Sequence, residues 1–321
     1  MPSHKIIYDT DPGVDDAMAL FFLHYSPDIE LVGITTGHGN APVETTTRNA
    51  LYLAERFGID APIARGAAGP LSGEEAHHAA FVHGENGLGG IDLPETVALQ
   101  PIDQPAHRFI IETVRRHPGE ITLLAVGRMT NLALALREDP GIAGLVKAVV
   151  IMGGAFGHNG HGGNVTPAAE ANIHGDPLAA DEIFAADWPI TAIGLDVTHE
   201  VLMTTDYLRD LAAEAGDVGR FIWDISRFYE AFYRRKGLDG ISVHDSSAAI
   251  YLVAPHLFET RRGAIRVVRD GLAFGQTIQK PDRFGFPPGA WDGRPSHAVC
   301  TGVDGPALLD LYRRTLRRAA A

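Results

Sequence analysis

Along the chain, short runs of continuous apolar residues alternate with longer stretches whose apolar positions recur every three to four residues. The runs "KIIY", "IELVGITT", "ITLLAVG", "AVVIMGG" and "PITAIGLDV" are rich in β-branched residues, which predicts strands. Most are followed by segments with helical spacing, such as "TNLALALRED", and that alternation predicts a mostly parallel sheet. "ITLLAV" and "AVVIM" have continuous rather than alternating apolar character, so both faces of those strands must be covered by helices. The predicted fold is α/β: an open, mostly parallel, doubly wound sheet flanked by helices, with any ligand site at the carboxyl edge of the strands. No linker, composition break or repeat period interrupts residues 1–321, which predicts a single domain. Two stretches, "GAAGPLSGEEAHHAAFVHGENGLGG" and "GGAFGHNGHGGNVTPAAEANIHGD", are longer than ordinary connections and are expected to be functional loops or lids.

Unusual polar residues fall just past the predicted strand ends: Asp11, Asn40, Thr130 and Asn131. The segment "DTDPGVDDA" concentrates Asp9, Asp11, Asp15 and Asp16 where a strand should end and a helix begin. Asp15 and Asp16 in a first helical turn can cap free N–H groups and complement the helix dipole. Strand alternation puts Asp9 and Asp11 on one side, so several carboxylates are expected to converge at the turn. Like charges that close raise one another's pKa unless a cation compensates, and carboxylate oxygens select a hard divalent ion.

The formal charge of −13 disfavours a nucleic-acid backbone or an anionic bilayer as partner, and no Lys/Arg block provides a local exception. Cys300 is the only cysteine, which excludes an internal disulfide and fits a reducing compartment. No apolar run approaches the roughly 18 residues of a membrane span, and none near the amino end resembles a secretory signal; a cytoplasmic protein is expected.

Other motifs add less. "GHGN" is a lone G-x-G, and no phosphate-cradling G-x-x-x-x-G-K-[ST] occurs. His158 and His161, like His77 and His78, lie in loops where exposure is the more ordinary outcome than metal ligation. The neighbours His244, Asp245, Ser246 and Ser247 point in different directions on a helix and cannot form a nucleophilic triad among themselves. Asn164, Glu170 and Asn172 in "NVTPAAEAN" suit either a turn or a grip on several hydroxyls. Phe228, Tyr229, Phe232 and Tyr233 have ordinary amphipathic spacing, and one or two could instead wall a ligand cleft.

Seven stretches, "DTDPGVDDA", "ITTGHGN", "HGENGLGG", "TNLALAL", "VVIMGGA", "NVTPAAEAN" and "VHDSSA", occur in the order seen in the inosine-uridine preferring nucleoside hydrolases, and the chain resembles that family over about residues 5 to 255. The resemblance implies a calcium-dependent hydrolase that splits the N-glycosidic bond of ribonucleosides into ribose and free base, with inversion. It implies Asp11 as calcium ligand and general base, Asp16, the Thr130 carbonyl and Asp245 as further calcium ligands, and Asp15 as holder of ribose hydroxyls. Asn40, Met152, Asn164, Glu170 and Asn172 match sugar-binding positions, and His83 lies in a segment that closes over the site. His244 is implied as the acid that protonates the leaving base. Family members are homodimers or homotetramers, so self-association is expected.

Arg128 stands where the family usually carries a small residue or Pro, and Ser246 where Pro is frequent. The carboxyl-terminal "QKPDRFGFPPGAWDGRPS" matches no motif. Two other readings compete: a phosphohydrolase of the haloacid dehalogenase type, which also ends its first strand with D-x-D but needs a later Lys and acidic pair, and a non-catalytic nucleoside sensor.

Overall fold

The structure, a computed structural model, describes residues 3–320. The strands are β1 (His4–Thr10), β2 (Ile29–Thr36), β3 (Ile63–Arg65), β4 (Ile121–Ala125), β5 (Ala148–Met152), β6 (Ile190–Ile193), β7 (Leu202–Met203), β8 (Ile241–Ser242), β9 (Phe258–Val267), β10 (Thr277–Pro281) and β11 (Ser296–Val303). Nine of them form one sheet in the order β10-β9-β11-β6-β5-β4-β1-β2-β3, while β7 and β8 pair separately. Every pairing from β3 across to β11 is parallel; β9 and β10 add an antiparallel margin. Because β2 continues to one side of β1 and β4 to the other, the loops leaving β1 and β4 diverge and open a crevice between them.

The helices are α1 (Val14–Tyr25), α2 (Val43–Phe57), α3 (Ala80–His83), α4 (Ala106–Arg116), α5 (Thr130–Glu138), α6 (Ala171–Gly175), α7 (Pro177–Ile183), α8 (Leu195–Thr198), α9 (Thr205–Glu214), α10 (Gly216–Arg235), α11 (Asp245–Tyr251) and α12 (Gly305–Leu316). Strand alternation sorts two cores. Ile6 and Tyr8 of β1, Leu124 of β4 and Val150 of β5 pack with α1, α10, α11 and α12; Ile7, Leu123 and Val149 pack with α4, α5 and α7. In the first core Phe21, Phe57 and Phe221 meet edge-on at ring separations of 4.7 to 5.9 Å. Truncating a buried ring of this kind to alanine costs about 3–5 kcal/mol.

Two expectations change. "PITAIGLDV" is not one strand: β6 stops at Ile193, and Leu195–Thr198 turn into α8. There the buried Asp196 carboxylate accepts the backbone N–H groups of Phe156 and His158, which pulls the chain out of the sheet. The antiparallel β9-β10-β11 margin was not foreseen. Cys300 is buried in β11 and its thiol is pushed up to about 12 by burial, which makes it inert. Among the described residues no helix is long and apolar enough to cross a membrane.

Candidate active site

The crevice between β1 and β4 is lined by acids, and their placement follows from where β1 stops. The strand ends at Thr10, Pro12 and Gly13 turn the chain, and α1 begins at Val14, so alternation does not extend to Asp11. Asp9 therefore does not share a side with Asp11, contrary to expectation. Its Oδ1 accepts from Thr35 Oγ1 of the neighbouring β2 (2.5 Å) and from Asn131 Nδ2 of α5 (2.8 Å), and burial raises its pKa to about 7. The remaining acids gather at the turn. Asp16 takes four donors: Thr10 Oγ1 (2.5 Å) and Asp11 N (3.2 Å) on Oδ1, Gly13 N (2.9 Å) and Asn40 Nδ2 (2.8 Å) on Oδ2. Capping and clustering are thus both true of this residue.

Asp15, Asp16 and Asp245 each bring an oxygen within 4.8 Å of the others, because α11 lies alongside α1. Asp11 stands beside this trio, its Oδ2 accepting Asn40 N at 2.6 Å. The Oδ1 atoms of Asp11 and Asp15 are buried and have no partner. Burial first, and neighbouring carboxylates second, hold Asp11 and Asp245 well above the usual range; burial raises Asp15 and Asp16 to about 6. Four buried acids that repel one another, two of them with a bare oxygen, are a donor set that a hard cation completes. The backbone leaves them room: a Cβ at Gly39 or Gly127 would collide with the Asp11 carboxylate. Thr130, the first residue of α5, is buried at the same edge, its hydroxyl donating to Asp176 Oδ2 at 2.7 Å.

The next positions along the crevice are organised by backbone contacts. Glu170 caps α6, accepting Asn172 N (2.9 Å), Ile173 N (3.1 Å) and Gly154 N (3.0 Å), and its pKa is raised by burial. Asn172 Nδ2 donates to the carbonyls of Val126 (2.6 Å) and Met152 (3.2 Å), joining the ends of β4 and β5. Asn164 is exposed and accepts Ala171 N at 3.0 Å, one residue from Glu170; no bond ties it to the acids among the described residues.

On the opposite wall α10 supplies an unforeseen chain of hydroxyls. Tyr229 OH donates to Asp15 Oδ2 at 3.1 Å, lies 3.3 Å from Tyr233 OH, and Tyr233 OH lies 2.6 Å from His244 Nε2, whose Nδ1 is 2.8 Å from Thr198 Oγ1. The i, i+4 spacing of the tyrosines was the available signal: both are buried, while Phe228 stays exposed and Phe232 meets Phe81 at the rim. His83 accepts Val14 N on Nδ1 (3.2 Å), sits 3.7 Å from Asp15 and stacks on Tyr229 at 5.2 Å. His244 corrects an expectation: burial holds its pKa well below the ordinary value, so it is a neutral link in this chain rather than a free acid near neutral pH. His158 and His161 lie apart from the acids; His161 pairs with Glu200 at 2.5 Å.

Arg128 turns inward. Its guanidinium meets His38 Nδ1 at 2.8 Å and the carbonyl of His77, two residues the sequence reading left without a role in the site.

A fold of this order, with its acids at the switch point, is that of an α/β enzyme binding its ligand at the strand ends. Residues 6–310 match the profile of the inosine-uridine preferring nucleoside hydrolases. The chain is 38% identical over 315 residues to the probable uridine nucleosidase 1 of Oryza sativa subsp. japonica, covering 97% of this chain and 96% of the relative. It is 37% identical over 277 residues to the inosine-uridine preferring nucleoside hydrolase of Leishmania major, covering 85% of this chain and 87% of the other. A solved plant nucleoside hydrolase superposes with a TM-score of 0.94 at 40% identity, covering 98% of this chain and 99% of that one. The purine-preferring ribonucleoside hydrolase from Gardnerella vaginalis gives 0.90 at 32% identity, covering 99% and 100%. The chain belongs to the nucleoside hydrolase family and is an enzyme of that class. This membership leaves the haloacid dehalogenase reading without support.

Proposed function

We propose that this protein hydrolyses the N-glycosidic bond of ribonucleosides to ribose and free base in a calcium-dependent, inverting reaction. The observation that carries the reading is the pair of bare, buried Oδ1 atoms on Asp11 and Asp15 beside Asp16 and Asp245. Asp11, Asp16, Asp245 and the Thr130 carbonyl would hold the ion, whose donor set of oxygens alone suits calcium over zinc. Calcium supplies Lewis acidity toward a water and the ribose diol.

The chain's own residues do the rest. Asp11 Oδ1, with no donor of its own, takes the proton of the attacking water, while Asn40 N keeps the carboxylate turned through Oδ2. Asp15, Asp16 and Glu170 place negative charge where the ribose becomes cationic. Asn172 and Met152 would set the floor beneath the sugar, and Asn164, whose Oδ1 holds Ala171 N, keeps its Nδ2 for a ribose hydroxyl. His83 and Tyr229 stack over Asp15 as one edge of the mouth. The leaving base would receive its proton from Tyr233 OH, which neutral His244 holds in place, and solvent reprotonates Tyr233 as Asp11 gives up the proton it took from the water. A cytoplasmic enzyme acting on small ribonucleosides, with neither nucleic acid nor membrane as partner, fits the acidic composition and the single cysteine, and self-association follows from the family resemblance alone.

Incubation with inosine and uridine should release ribose; binding without release would make the protein a sensor instead. Because Asp15 is assigned to the sugar hydroxyls, 2′-deoxyinosine should be cleaved at least about a hundredfold more slowly than inosine. Equal rates would remove Asp15 from that role. His244→Ala should lower kcat for inosine by about 10²-fold and uridine by less. Equal small losses on the two nucleosides would reduce His244 to packing beside Asp245.

A further inference from the structure

Arg128 breaks the family's sequence habit, and its surroundings give it a task. A guanidinium can only donate, so His38 Nδ1, at 2.8 Å, is the acceptor and the imidazole proton sits on Nε2. Nε2 lies 3.3 Å from Thr130 Oγ1, and that hydroxyl donates to Asp176 Oδ2 at 2.7 Å. Three hydrogen bonds therefore run in one sense, from the cation on Arg128 through His38 and Thr130 to the carboxylate of Asp176. Reversing any one of them would require a proton that Arg128 cannot accept.

The same two charged ends hold a segment of chain. Asp176 Oδ2 also accepts Leu71 N at 2.8 Å, and Arg128 donates to the carbonyl of His77. Just beyond, His78 Nδ1 is 3.2 Å from the Gly39 carbonyl and Ala79 N donates to the Asn40 carbonyl at 3.2 Å, after which α3 delivers His83. Residues 71–83 are thus fastened at Leu71 and at His77 before they reach the acid cluster. Room for the guanidinium is built in: a Cβ at Gly175 would collide with Arg128.

We propose that Arg128 is a positioning residue, which fastens the 71–83 segment over the site through His77 and fixes Thr130, through His38, at the start of α5, where its carbonyl would help to hold the cation. The kinetic part of this rests on the function proposed above. Lysine is a poor substitute, since one ammonium cannot span His38 and the His77 carbonyl in a fixed plane.

The test compares the wild-type protein with Arg128→Ala and Arg128→Lys by amide hydrogen exchange, calcium calorimetry and steady-state kinetics on inosine. In Arg128→Ala, exchange at residues 77–83 should quicken by about tenfold or more, while the sheet strands keep wild-type protection. Calcium should bind about tenfold more weakly. KM for inosine should rise several-fold more than kcat falls, and millimolar guanidinium ion should restore part of the loss. Arg128→Lys should fall between the two, and carries the comparison alone if the alanine variant does not fold. Wild-type exchange at 77–83 together with wild-type calcium affinity in either variant would overturn the proposal. Failure of the wild type to release ribose would instead sink the functional reading, with exchange and calorimetry still deciding the part Arg128 plays.

Discussion

Asp11→Asn should yield a folded protein whose turnover of inosine falls by at least about a thousandfold, within the range that general-base loss produces. Asparagine keeps the volume of the side chain and an oxygen that can accept Asn40 N, so the β1–α1 turn has no reason to move. It removes the bare Oδ1 carboxylate oxygen, the atom assigned to proton uptake, and one of the four ionisable carboxyls of the cluster. That second change makes the variant easier to fold: repulsion from Asp16 and Asp15 is part of what raises the Asp11 pKa, and relief of it should raise Tm in the presence of chelator. Loss of turnover with a raised chelator Tm is a pattern that simple misfolding cannot produce. Retention of a tenth of wild-type kcat would show that another group takes the proton.

Calcium should stabilise the protein, by about 2.7 kcal/mol when free calcium is a hundredfold above its Kd. The size of the effect should depend on pH. Asp15 and Asp16, near 6 in the folded protein and ordinary when unfolded, bind more protons in the folded state between about pH 4 and 6. Their contribution to stability is therefore lost as pH rises through that window, and is gone above it. The buried imidazoles of His38 and His83, lowered to about 3 and about 4, act in the opposite sense, gaining stability as pH rises toward 6.5. Raw Tm profiles mix both. The difference between calcium-loaded and chelated protein isolates the acids, and should grow from small near pH 5 to its full value above pH 7. A difference that is flat with pH, or matched by zinc in place of calcium, would remove these carboxylates as the cation's ligands.

The parallel half of the sheet was legible because its strands are buried on both faces and read as unbroken apolar runs; β2 and β5 fall where "IELVGITT" and "AVVIM" place them. The antiparallel margin was not, since β9 carries "TRRG" at its solvent-facing start and no run of apolar residues marks it. The acid cluster was legible from its spacing at one strand end. Its internal division was not: which acid is capped by four donors and which left bare depends on Asn40 and Thr10, chosen by how β2 meets β1. The Tyr229–Tyr233–His244 chain joins α10 to the residue that precedes α11, and Arg128 acts through His38, ninety residues earlier. Such pairings become visible only when the helices have docked.

The acids of the crevice come from distant parts of the chain: Asp11, Asp15 and Asp16 near its beginning, Asp245 on α11, which lies against α1 as part of one core. A growing polypeptide released from the ribosome up to residue 240 would already carry the sheet from β1 to β6 and the first acids, but no carboxylate to close the set. A cation held by the proposed set would then act only as a late clamp, drawn in once α11 has packed on α1. Calcium supply during synthesis should affect the yield of active enzyme at that last docking step, while leaving the formation of the parallel sheet untouched.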